Sequence, residues 1–147
     1  MDVEHLRDLQ WDAVEALVVE SEGVGLGFLR RLVDEWASGR NRFDRPGEAL
    51  FGAWMDGHLI GVCGLNVDPY GASPTVGRVR HLYVLTAHRH LGVGRRLVAE
   101  VIRVAAGRFD RLRLRTHGPA AARLYEALGF RPAGEADCTH VMELRRR

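Results

Sequence analysis

The chain has 147 residues, 46% hydrophobic and 27% charged, with a formal net charge of +2, which suits one globular domain spanning 1–147 with a sizeable core. No apolar run approaches the roughly 20 residues of a membrane span, and Met1-Asp2-Val3-Glu4-His5 is acidic and polar where a signal peptide is basic and then apolar, so a cytoplasmic location is expected. Cys63 and Cys138 lack partner spacing and all 21 basic residues are arginine, which argues against a disulfide framework and a metal site and excludes a Schiff-base or P-loop lysine.

In chain order, residues 3–6 suit a short strand, and Trp11 to Val19 place apolar side chains at helical spacing. Gly23, Gly25 and Gly27 end that helix in a flexible link; a second helix over about 28–37 carries Leu29, Leu32, Val33 and Trp36 on one side and closes at Gly39. After a polar loop, residues 49–55 and 59–67 read as strands joined at Asp56-Gly57, the strongest short hairpin signal. A Pro- and Gly-bearing break over 68–74 leads to a strand over about 78–85. A helix over 95–106 buries Leu97, Val98, Val101, Ile102 and Ala105, and the alternating Arg111-Leu112-Arg113-Leu114-Arg115 is a strand with one buried face. Pro119 opens a last helix with Ala121, Leu124, Tyr125 and Leu128 on its inner face, Gly129 ends it, and strands follow at Phe130 and over 138–144.

The stretch between the 78–85 strand and the 95–106 helix holds the chemistry. Arg89, Gly92 and Gly94 sit where the chain must bend. Glycine lets a backbone approach a ligand closely, and the first N–H groups of a helix have no internal partner, so the turn reads as an anion cradle. The glycines miss both the dinucleotide fingerprint and the P-loop pattern.

Leu82-Tyr83-Val84 followed by Arg89-His90-Leu91-Gly92-Val93-Gly94, with Leu124-Tyr125-Glu126-Ala127-Leu128-Gly129-Phe130 one helix and one strand later, resembles the GCN5-related N-acetyltransferase (GNAT) family. The resemblance implies an α/β (α+β) fold: a mixed, mostly antiparallel twisted sheet flanked by about four helices. It implies acetyl-CoA as co-substrate and no metal. Arg89, His90, Leu91, Gly92, Val93, Gly94 and Arg95 would cradle the pyrophosphate, with Arg96 nearby. Main-chain groups of Leu82, Tyr83 and Val84 would pair with the pantetheine arm and polarise the thioester carbonyl. Gly118, where the family often has Asn, and Ala121 would border the pantetheine, with Thr116 or His117 as substitutes for the missing amide. Tyr125 would donate a proton to the departing sulfur, although it also belongs to the apolar stripe of its helix.

A protonated amine must lose a proton before it attacks. Arg78 stands where a relative's basic Glu would be, which leaves His81 or, beside the glycine link, Glu20 and Glu22 as candidates; each also reads as an ordinary strand or helix-surface residue. Residues 1–75 hold 13 acids against 6 Arg, and residues 76–147 hold 15 Arg against 6 acids. Unless both are solvated charge, the first half suits a cationic acceptor and the second an anionic donor. The expected activity is transfer of an acetyl group to a primary amine of a small molecule or peptide; the alternative is a non-catalytic acyl-CoA-binding regulatory module. Arg111, Arg113, Arg115 and Arg145–Arg147 lack interleaved aromatics, so no nucleic-acid partner is expected, and edge strands offer a surface for a homodimer.

Overall fold

We describe residues 1–71 and 73–144 in a computed structural model; the Arg145–Arg147 run lies outside the described residues. The chain runs β1 (Asp2–His5), α1 (Trp11–Gly23), α2 (Phe28–Ser38), β2 (Ala49–Met55), β3 (His58–Val67), β4 (Val76–Val84), a 3-10 turn (Thr86–His88), α3 (Val93–Ala106), β5 (Arg111–Leu114), α4 (Pro119–Ala127), β6 (Arg131–Pro132) and β7 (His140–Glu143). The strands form one sheet in the order β1-β2-β3-β4-β5-β7-β6, parallel only between β4 and β5. This is the mixed, mostly antiparallel sheet with four helices that the resemblance implies. Boundaries differ by a few residues: α3 starts at Val93, inside the glycine turn, while Phe130 and Cys138 precede β6 and β7 instead of opening them.

The strands alternate side chains between two helical layers. Val14, Leu17 and Val18 of α1 and Leu29 and Leu32 of α2 bury Leu50, Leu59, Val62 and Tyr83 on one face. Leu97, Val98, Val101 and Ala105 of α3 bury Phe51, Ile60, Cys63, Leu65 and Val79 on the other. Asp56 and Gly57, at φ 51° and 80°, give the doubly left-handed turn that matches hairpin twist.

Two irregularities in β4 matter for function. Val76, Gly77 and Arg78 pair with β5, but beyond Arg78 β4 pairs with β3 alone, so the parallel strands part. In the parted section the β3–β4 register shifts: Val62 faces Tyr83 and Gly64 faces Arg80, which leaves His81 and Leu82 together opposite Cys63. That is a β-bulge, and His81 occupies it at φ 62°. A left-handed non-glycine residue inside a strand costs about 1–3 kcal/mol and persists where its surroundings over-determine it.

Candidate active site at the parting strands

The parted edge exposes main chain. Leu85 N–H donates to Ile60 O at 2.9 Å, so the ladder's alternation turns the groups of Leu82 and Val84 away from β3, toward the gap. The Val84 carbonyl accepts from Arg89 Nε at 3.0 Å. Beyond Val84 the chain curls through the 3-10 turn into the glycine turn. His90 at φ 67° and Gly92 at φ 81° bend it, and a Cβ on Gly92 would meet nothing within 4 Å. The N–H groups of His90, Leu91, Gly92, Val93, Gly94 and Arg95 find no acceptor among the described residues. Alternating left-handed residues that lead into a helix make a concave nest of donors at the positive end of the α3 dipole, an arrangement suited to a phosphate.

The basic side chains of the turn are less uniform than their spacing suggests. Arg89 folds back onto β4, its guanidinium 5.2 Å from the centre of the Tyr83 ring. Arg96 turns away and donates to Met1 O at 2.9 Å, whereas Arg95 is exposed. Glu20 sits beneath this turn. Its Oε1 accepts from the Tyr83 hydroxyl (2.8 Å), Thr86 N–H (2.8 Å) and the Thr86 hydroxyl (2.9 Å). Partial burial pushes its carboxyl up, but those hydrogen bonds and the Arg89 charge outweigh it and hold the group below the usual range. Glu20 is thus a brace between α1 and the turn, held through Oε1.

On the α3–α4 side, Gly94 lies in the seam between elements: a Cβ there would be 3.3 Å from Leu124 Cδ2 and 3.8 Å from Val84 Cγ2. One residue on, Tyr125 is buried, with its ring edge-on to Phe130 at 5.6 Å. Burial, with the neighbouring Cys63 thiol, pushes its phenol well above the ordinary value. Gly118 caps α4 in extended conformation with open space at its Cβ position, Ala121 follows half-buried, and Thr116 N–H donates to Thr139 Oγ1 at 3.0 Å. Gly118 therefore brings no side chain to the gap.

The candidate bases Glu22 and His81 fall on the α1–α2 side, one ion-paired and the other buried. Glu22 is held by Arg30 in a bidentate, exposed pair at 3.0 and 2.9 Å, which lowers its pKa. His81 is 8% exposed, its ring 6.1 Å from those of Phe28 and Phe43, and Nε2 has no partner. The close packing of Phe43 requires Gly64, where a Cβ would lie 2.6 Å from Phe43 Cε1. Burial, reinforced by the charges of Arg80 and Arg31, pulls His81 down to about 3. Native His81 therefore stays neutral as pH falls through 6.5, while the unfolded chain takes up the proton. Between pH 7 and 5 this group alone should remove about 2 kcal/mol of stability. Urea melts of wild type and His81→Leu at both pH values should show the wild type losing that much more; parallel losses would contradict it.

A buried ionic cluster holds the base of the gap. Asp68, fully buried, takes Arg78 Nη1 at 3.4 Å and Arg113 Nη1 at 2.6 Å. Arg78 Nη2 donates onward to Asp137 O at 2.6 Å, Arg113 Nη2 donates to Ala136 O, and the Arg78 guanidinium lies 4.5 Å from the centre of the Tyr70 ring. Among the described residues no group of three or more His, Cys, Asp or Glu is placed to hold a metal, and no helix is long and apolar enough to cross a membrane.

A sequence model of the acetyltransferase (GNAT) family matches residues 4–130. The N-alpha-acetyltransferase RimI of Mycobacterium tuberculosis is 32% identical over 104 residues, 69% of this chain and 65% of that protein, so the match spans slightly less than two thirds of the relative. A crystal structure from Exiguobacterium sp. 255-15, of a protein to which acetyltransferase activity is ascribed, superposes with a TM-score of 0.82 at 27% identity and covers 97% of this chain and 94% of that one. The acetyl-coenzyme A complex of a Bacillus anthracis protein ascribed streptothricin acetyltransferase activity superposes with a TM-score of 0.58 at 22% identity, over 69% of this chain and 65% of that one.

Proposed function

Because the chain belongs to the acetyltransferase (GNAT) family, N-acetyltransferases that use acetyl-CoA as donor, we propose that it moves the acetyl group of acetyl-CoA onto a primary amine of a small molecule or peptide by direct attack on the thioester. The observation that carries this reading is the run of unpaired N–H groups from His90 to Arg95, set beside a strand edge that has lost its neighbour. In this reading the nest takes the pyrophosphate. The main-chain groups of Leu82 and the N–H of Val84, whose carbonyl Arg89 already occupies, receive the pantetheine arm and the thioester oxygen, where donors already in position favour the developing oxyanion. The amine attacks the thioester carbon, the C–S bond breaks, and the departing sulfur takes the Tyr125 proton. The mycobacterial relative's name adds a peptide N-terminus to the acceptors worth testing.

His81 is too weakly basic for the amine proton, and Glu22 is engaged with Arg30. Water in the cleft then takes that proton and returns one to the Tyr125 phenolate, which closes the proton balance. Acetyl-CoA should raise Tm, since a ligand that binds only the native state stabilises it, and an amine panel should release thiol from acetyl-CoA in proportion to acylated product. In the pH profile of kcat/KM, His81→Ala and Glu22→Ala should leave the apparent pKa values in place; a limb lost in either variant would make that residue the base. Binding of acetyl-CoA without thiol release to any amine would favour a regulatory module instead.

A further inference from the structure

The α1–α2 side of the sheet carries two arginines, Arg80 and Arg31, without an ion-pair partner among the described residues. Arg80 stands on β4 two residues beyond the last β4–β5 pair, half-buried, and points to the α1–α2 face, where its Nη1 donates to Asn66 Oδ1 at 3.2 Å. Asn66 is neutral and is fixed in turn by reciprocal 3.0 Å bonds with Asn41. Arg31, in α2, is exposed, and its charge, with that of Arg80, acts on the His81 ring. Among the described residues neither arginine has a carboxylate within ion-pair distance. Four acids of this region are engaged elsewhere: Glu20 by Thr86 and Tyr83, Glu22 by Arg30, Glu48 by the N–H groups of Arg45 and Val67, and Asp68 by Arg78 and Arg113; Asp34 and Glu35, on α2 with Arg31, make no ion pair with it. His81 Nε2, buried and unpartnered, adds no negative charge.

Resting on acetyl transfer as proposed above, we infer that the acceptor carries a carboxylate close to its amine, and that Arg80, assisted by Arg31, receives that carboxylate. A guanidinium with one N–H group committed to a neutral amide keeps donors for a two-point contact with a carboxylate. The same pair repels an ammonium that brings no anion, so it selects against simple polyamines as well as for acidic acceptors. With Glu20, Glu22, Glu48 and Asp68 engaged, these four acids of residues 1–75 do not offset Arg80.

Thiol release measured with matched acceptors tests this: amino acids against their carboxamides, and short peptides beginning with Asp or Glu against the Asn or Gln versions. The first pair reports an α-carboxylate and the second a side-chain carboxylate. At least one acidic member should exceed its amide at least 10-fold in kcat/KM. Arg80→Gln, which can keep the Asn66 contact, should abolish that preference mainly through KM, Arg31→Ala should weaken it, and Arg80→Lys should restore part of it. The acetyl-CoA thermal shift reports that each variant is folded. Equal use of acid and amide by the wild type, or an equal loss on both in Arg80→Gln, overturns the carboxylate site while acetyl transfer stands. No thiol release with any amine overturns acetyl transfer, and this inference with it.

Discussion

Asp68→Asn should cost about 3–5 kcal/mol of stability, the usual result of removing one member of a buried ion pair while the other charge stays. The carboxylate is fully buried, and it faces two guanidinium groups whose side chains are 6% and 11% exposed. The two arginines depend on it differently. Burial pulls Arg78 down even with Asp68 beside it, whereas the short hydrogen bond to Asp68 holds Arg113 up, so Arg113 is the principal partner. Asparagine keeps the volume and some hydrogen bonding but leaves Arg78 with no carboxylate, beside an Arg113 that retains only the more exposed Glu135, 3.4 Å from its Nε. For a domain whose whole stability is about 5–15 kcal/mol, that is a large fraction. Urea unfolding should show it as a lowered midpoint at constant slope. Glu15→Gln, on the exposed face of α1, should stay within about 0.5 kcal/mol of wild type. Amide exchange should also quicken around Ala136 and Asp137, whose carbonyls the arginines hold. An unaltered midpoint would mean that the cluster is solvated and contributes little.

What could be read from the sequence was what local chemistry specifies. The Asp56-Gly57 hairpin, the glycines closing α2 and α4, and the bend at Gly92 follow from conformations that few other residues adopt, and periodicity assigned the faces of α2, α3 and β5. The rest depends on partners far apart in the chain. Glu20 is 63 residues from Tyr83, and Asp68 is 45 from Arg113. Spacing alone cannot tell such a brace from a solvated carboxylate. His81 illustrates the same limit: its place near Arg78, where a relative's basic Glu would be, marks it as a candidate base, but Phe28 and Phe43, which close over it, come from α2 and the following loop. The bulge that strains His81 leaves no signal in the alternation either, because Arg80 and His81 are polar whichever register holds. Charge totals by halves also average over internal pairing; Glu20, Glu22, Glu48 and Asp68 are engaged within the fold, while Arg80 has no ion pair among the described residues.

Tyr125→Phe should lower kcat roughly 10- to 100-fold with an unchanged fold. The upper bound is modest because a thiol's pKa near 8.5 makes the thiolate a fair leaving group without assistance. Loss of the hydroxyl leaves the ring's edge contact with Phe130 in place, so Tm should move by only a few degrees. The pH behaviour separates an acid from a packing residue. With its phenol pushed upward by burial, Tyr125 keeps its proton throughout the range in which the enzyme is assayed. Activity should therefore show no decline below pH 10 that traces to this group, and the profile of Tyr125→Phe should run parallel to that of wild type at reduced height. A donor-side effect also predicts that the deficit shrinks with acetyl thioesters of more acidic thiols, whose departure needs no proton. If turnover is unchanged, or the deficit is the same for every leaving thiol, Tyr125 is a core aromatic and the sulfur leaves unaided.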